Sequence, residues 1–136
     1  MAQNGGSNSE IVSLSEEVIA YEDTIRKYAK EYDIEDYVTL LQAIMMQESG
    51  GKGNDPMQAS ESGYNTKYPR VPNGITDPEY SIEVGTHTFY DCLKKAKVKD
   101  SSDTECIYLA LQAYNYDSGY IEWAIRNFGG YSKYNA

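Results

Sequence analysis

The stretch Met45-Met46-Gln47-Glu48-Ser49-Gly50-Gly51 sets one carboxyl at the end of an apolar helical run, where two glycines stop the helix. Reading back from it, Val38, Leu41, Ile44 and Met45 recur at helical spacing. Glu48 stands four positions after Ile44 and seven after Leu41, so it continues their apolar stripe instead of joining the wet face. Burial raises a carboxyl pKa, and the negative end of the helix dipole acts in the same direction. A carboxylic acid that keeps its proton near neutral pH is what general acid catalysis requires. Taken alone, the segment reads equally well as a glutamate that only closes a helix.

The flanking sequence is helical on both sides. Ser13-Leu14-Ser15-Glu16 has the form of a capping box, and Val18, Tyr21, Ile25, Tyr28 and Tyr32 mark one face of the helix that follows. Asp33 is placed to cap the next helix, with Asp36 in its first turn, and that helix runs to Glu48. From Ser49 to Pro78 the chain changes character: it holds five of the eleven glycines and all four prolines, and reads as irregular. A loop of ~30 residues inside a compact domain is uncommon and usually functional. Asp77-Pro78-Glu79 then opens a third helix, with Ile82, Gly85 or Thr86, Phe89, Leu93 and Ala96 along its stripe. Gly85 in mid-helix costs about 1 kcal/mol relative to alanine, which points to a close helix crossing there. Ser102-Asp103-Thr104-Glu105 is a second capping box, opening a helix with Ile107, Ala110, Leu111 and Tyr114 on one face. Asn115 to Gly119 interrupts it, and a last helix buries Ile121, Ala124, Ile125 and Phe128 before Gly129-Gly130. No segment alternates with strand period, so the fold class is all-α.

Length and charge narrow the function. With 136 residues the chain is one domain, able to bury roughly two thirds of its unfolded surface. Residues 1–14 read as a flexible leader and 15–136 as the folded domain. No apolar run approaches the ~18 residues of a membrane span, and no secretory signal pattern opens the chain. Twelve basic residues against twenty-one acidic ones give a net charge of −9, which argues against a nucleic-acid partner. The lysine cluster Lys94, Lys95, Lys97 and Lys99 falls at a helix C-terminus, where cations are favoured in any case. Fourteen tyrosines against two phenylalanines is an uneven balance; an apolar ring with a polar tip suits carbohydrate as well as a partly wet core. Cys92 and Cys106 flank an interhelical turn and read either as a bridge, stabilising by about 3 kcal/mol in the chain-entropy model, or as two buried thiols. One histidine and two cysteines make no persuasive zinc site, and no metal or cofactor is expected. His87 points away from the apolar stripe of its helix and reads as surface.

Three further segments stand beside Glu48: Asp55-Pro56-Met57-Gln58-Ala59-Ser60 in the long loop, Ser81-Ile82-Glu83-Val84-Gly85-Thr86-His87-Thr88-Phe89 opening the third helix, and Ala113-Tyr114-Asn115-Tyr116-Asp117-Ser118-Gly119 at the helix break. In this order they resemble the superfamily of goose-type lysozymes and lytic transglycosylases, where a helix-ending Glu-Ser precedes a Met-Gln loop, a glycine-bearing helix and an Ala-Tyr-Asn turn. The likeness is strongest to the lysozyme-like domain of cell-wall hydrolases carried by Gram-positive conjugative elements. It spans about residues 20–130. Each motif alone is weak, and the four in order are specific.

The resemblance implies a goose-type helical domain with a long active-site loop after the catalytic helix, and an N-acetylmuramidase acting on the peptidoglycan glycan strand. It implies Glu48 as the acid that protonates the glycosidic oxygen, and Ser49, Met57, Gln58, Tyr114 and Asn115 as substrate-binding residues. An inverting hydrolase also needs a carboxylate to activate water, roughly 6.5–9.5 Å from the acid. Asp55, Glu61 and Asp117 are the candidates by position, each also readable as a solvated loop carboxylate. A lytic transglycosylase needs no such base, because the 6-hydroxyl of muramic acid closes onto its own C1. A catalytically silent glycan-binding module is the alternative from another class. The family likeness further implies action outside the membrane, at the cell wall, as a monomeric module of a longer wall hydrolase. Peptidoglycan is itself anionic, so recognition is expected from stacking and hydrogen bonds in the cleft, with Tyr64, Tyr68, Tyr80 and Tyr120 as available rings.

Overall fold

A computed structural model describes residues 13–114, and within them five α-helices, one short 3-10 turn and no strand. Helices α1 (Glu16–Ala20) and α2 (Glu22–Glu31) lead into a 3-10 turn at Glu35–Tyr37 and helix α3 (Val38–Glu48). An irregular loop then separates α3 from α4 (Pro78–Lys95), and α5 (Thr104–Ala113) closes the described chain. The all-α expectation and the long loop after Glu48 hold. The expected last helix, Asn115, Asp117, Tyr120 and most of the 1–14 leader lie outside the described residues.

Helix α3 carries the fold. Leu40, Leu41, Ala43, Ile44 and Met45 have no exposed surface, and Val38 and Gln42 are buried beside them. A helix that is apolar all round must be wrapped on all sides. Here α1 and α2 pack on α3, while α2 and α5 pack on α4. Ile25 from α2, Ile82 and Phe89 from α4, and Ile107 and Leu111 from α5 complete one core.

The segment expected as a single first helix breaks at Tyr21, where the backbone N–H of Tyr21 bonds back to the carbonyl of Val18 at 3.1 Å. Its cap is Ser15 and not Ser13: the Ser15 hydroxyl accepts from Val18 N at 3.0 Å and donates to the Gly50 carbonyl at 2.6 Å. One side chain thus starts α1 and ties it to the end of α3. Asp33 does not cap the following helix either. It adopts φ 59° after α2, with Asp33 N bonded to Lys30 O and Ile34 N to Ala29 O, the paired bonds of a Schellman stop. Short polar side chains tolerate this left-handed conformation, so the aspartate ends one helix instead of beginning the next.

Helix α4 begins as expected, with Asp77 accepting from Glu79 N at 3.1 Å and Pro78 in the first turn. Helix α5 is capped by Asp103, within the expected box. Cys92 and Cys106 are free thiols; Cys92 is buried and Cys106 partly so. The thiol reading of the pair is the one observed. Burial pushes the Cys92 thiol up to about 11.

Candidate active site

Glu48 is the last residue of α3, and the chain turns sharply after it. Gly50 at φ 66° receives the stop: its N–H bonds to the Met45 and Met46 carbonyls. Gly51 follows at φ 83°, and a β-carbon there would stand 2.8 Å from the Glu17 Cβ. The two glycines of the opening stretch therefore let the chain reverse against α1 immediately beyond the glutamate.

The reversed chain is built into a rigid loop by buried polar side chains. The Asp55 carboxylate is buried, accepting from Ala59 N at 3.0 Å, Ser81 Oγ at 2.7 Å and Ser60 Oγ at 2.5 Å. Ser60 Oγ also accepts from Ile75 N, and Ser81 Oγ from Met57 N, so both ends of the loop converge on this aspartate. Buried Asn65 bridges the Ser60 carbonyl and the Tyr68 amide. Such networks specify one conformation only when every member is satisfied, as these are.

Met57 shows why Gly85 is needed. A β-carbon on Gly85 would meet the Met57 Cβ at 2.7 Å and Cγ at 2.9 Å. The close approach expected at Gly85 exists, but the partner is the loop and not another helix. Tyr114 locks the same point from the other side, its hydroxyl donating to the Met57 carbonyl at 3.3 Å and its ring meeting Phe89 edge-on at 6.2 Å.

Glu48, Gln58, Glu61, Ser62, Thr88 and Tyr114 line an open cavity of ≈ 350 Å³ at this junction, with Ala59 and Ala113 at its wall. Glu48 is half-buried, and burial together with the nearby negative charge of Asp55 pushes its carboxyl from 4.5 up to about 7. The direction is the one the sequence implied; the second contribution comes from Asp55. Gln58 sits in the left-handed region at φ 49°, held by its amide bonds to the Asp55 carbonyl at 3.0 Å and Asn73 Oδ1 at 2.8 Å. Strain of this kind persists only where the surroundings over-determine it, and it collects at ligand sites.

Of the sequence candidates, Glu48, Gln58, Glu61 and Tyr114 meet at the cavity. Three others are placed elsewhere. Ser49 spends its hydroxyl on the loop, donating to the Pro56 carbonyl at 2.7 Å and accepting from Gly51 N at 2.9 Å. Met57 is 1 % exposed and fills the core beneath the loop. Asp55 has its carboxylate oxygens occupied by the loop bonds described above. Asn115 and Asp117 lie outside the described residues. Ser62 and Thr88, hydrogen bonded to each other at 2.7 Å, join the cavity wall without having been singled out. No periodicity marks them. No cluster of three or more His, Cys, Asp and Glu suited to a metal occurs among the described residues.

The sequence profile of the Lysozyme-like family matches residues 15–136. The chain belongs to the Lysozyme-like family. Among its relatives, the bifunctional muramidase/DL-endopeptidase CwlT of Bacillus subtilis is 40 % identical over 129 residues, covering 95 % of this chain and 36 % of the relative. Pneumococcal vaccine antigen A of Streptococcus pneumoniae is 32 % identical over 111 residues, covering 82 % of this chain and 50 % of that protein. A crystal structure from Staphylococcus aureus, described as similar to a lipoprotein of the NLP/P60 family, superposes with a TM-score of 0.59 at 36 % identity, covering 83 % of this chain and 35 % of that one. This lysozyme-like chain thus spans between about a third and a half of the relatives it matches. No helix among the described residues is long and apolar enough to cross a membrane.

Proposed function

We propose that this lysozyme-like domain cleaves the glycan strand of peptidoglycan as an N-acetylmuramidase, breaking the β-1,4 bond between N-acetylmuramic acid and N-acetylglucosamine. The observation that carries the reading is Glu48 itself: a carboxyl pushed up to about 7, opening on a cavity of ≈ 350 Å³. A group with that pKa keeps its proton on a large share of molecules near neutral pH and is close enough to its working point to release it readily. The 40 % identical relative named as a muramidase/DL-endopeptidase supports the substrate class.

In this reading Glu48 donates its proton to the glycosidic oxygen as the bond to the muramic acid C1 breaks. Water then attacks C1, and its proton passes to a second carboxylate. Glu61 is the carboxylate that lines the cavity with Glu48. Asp55 serves a different purpose: its negative charge adds to the effect of burial in keeping the Glu48 proton on, while its hydrogen bonds hold the loop that carries Gln58 and Glu61. Tyr114 fixes the cavity floor through Met57. The domain acts at the cell wall, outside the membrane, and the greater length of its relatives suits a companion domain on the same protein.

Mass spectrometry of strands digested by the purified domain tests the reading. Reducing N-acetylmuramic acid ends are expected. Ends of 1,6-anhydro form would make the domain a lytic transglycosylase, with the sugar's own hydroxyl replacing water and Glu61 unnecessary. Binding with no fragments released would leave a glycan-binding module and sink the enzymatic reading.

A further inference from the structure

Helix α4 and the loop carry a second concavity, in which rings supply half of the lining residues. Ser62 and Thr88 wall the Glu48 cavity; Tyr64 and His87, a step away on the same two segments, line a smaller cavity of ≈ 160 Å³ together with Tyr32, Lys67 and Glu83. His87, expected at the surface, is instead the middle layer of a stack. Its ring lies 3.6 Å from the Tyr64 ring at 21° and 4.7 Å from the Tyr32 ring at 23°. Tyr90 flanks the stack, 5.3 Å from Tyr32.

Both faces of the imidazole are therefore covered, and its effect is to fix Tyr64. That tyrosine is 38 % exposed, one of four large apolar side chains left exposed among the described residues. One face of its ring packs against His87, and more than a third of the residue stays open to solvent. A pre-set aromatic face loses little side-chain entropy when a ligand covers it. Thr66, Lys67 and Glu83 line the same cavity and bring polar and charged groups to it, the Lys67 ammonium lying over the Tyr80 ring at 5.1 Å. A pyranose has this same duality, with apolar C–H groups on its faces and hydroxyl and acetamido groups at its rim.

We propose that Tyr64, backed by His87 and Tyr32, forms an outlying subsite that stacks on an N-acetylhexosamine ring of the glycan strand where it leaves the Glu48 cavity. The proposal rests on the glycan-cleaving reading above and extends it to substrate length. The domain grips strands that reach from the cleft across the Ser62–Thr88 pair, and short fragments miss this contact.

The test measures binding of peptide-free peptidoglycan strands to the full chain carrying Glu48→Gln, so that turnover does not interfere. A tetrasaccharide and a dodecasaccharide are the two probes. Tyr64→Ala is expected to weaken dodecasaccharide binding about five- to tenfold, the range of one aromatic stacking contact, and to change tetrasaccharide binding by less than about twofold. Tyr64→Phe keeps the ring and retains the affinity for both. His87→Ala frees the tyrosine and gives a smaller, length-dependent loss. An unchanged dodecasaccharide affinity in Tyr64→Ala, or an equal loss for both lengths, overturns the proposal. If the unsubstituted chain binds long strands through Tyr64 yet releases no fragments, the subsite stands and the muramidase reading falls.

Discussion

Replacing Glu48 by glutamine should make the protein more stable at alkaline pH while removing its chemistry. The folded chain holds the Glu48 proton up to about 7, whereas an unfolded chain gives it up near 4.5. Between these values the native state binds more protons than the unfolded state, so stability falls as pH rises, and the loss is complete above about 7. The full shift would correspond to about 3 kcal/mol, and partial solvent exposure reduces this to about 1–2 kcal/mol. Glutamine has nearly the same shape and never ionises, so the variant escapes the penalty. For a domain of this size, Glu48→Gln should raise Tm by about 4–8 °C at pH 8 and leave it within about 1 °C at pH 4.5. Far-UV circular dichroism melts of both proteins across that range are sufficient. A variant equally shifted at both pH values, or less stable at pH 8, would refute the claim that the fold holds Glu48 protonated.

Other expectations follow from the loop. Gly85→Ala gains helix propensity worth about 1 kcal/mol but drives a methyl into Met57. Overpacking costs about 1–3 kcal/mol, so chemical denaturation should show net destabilisation, with loss of strand cleavage as the loop shifts. Asp55→Asn removes the charge beside Glu48 and mismatches the Ser60 and Ser81 hydroxyls. It should destabilise by about 1–3 kcal/mol and lower the Glu48 pKa, read by NMR titration. Because Cys92 and Cys106 are free, adding a thiol reductant should leave Tm unchanged; a fall of several degrees would reveal a bridge.

What the sequence made legible was local. The stripes of α4 and α5, the Pro78 start and the glycine stop after Glu48 all follow from spacing and capping within a turn or two. Ser13 and Asp33 misled for the same reason: several residues nearby satisfied one capping pattern, and tertiary contacts chose between them. Ser15 prevailed because its hydroxyl also reaches Gly50, 35 residues away. The candidate site was legible where its raised carboxyl sits on a helix end, as for Glu48. It was not legible where a polar group closes on a partner far along the chain, as Asp55 does with Ser81 across 26 residues. The motif residues Ser49 and Met57, read as substrate-binding, are placed by the fold within the loop and the core beneath it. His87 reads as surface because helical phase places it off the core stripe, while the loop supplies Tyr64 to stack on it.

The account turns on whether Glu48 delivers the proton to the glycosidic oxygen. The rate of bond cleavage in purified glycan strands, followed against pH for the unsubstituted chain and for Glu48→Gln, tests this most directly. Glu48→Gln should lose about a hundredfold to ten-thousandfold in kcat/KM, and the unsubstituted chain should lose activity as pH climbs past about 7. A glutamine variant that cleaves within a few-fold of the unsubstituted chain would contradict it.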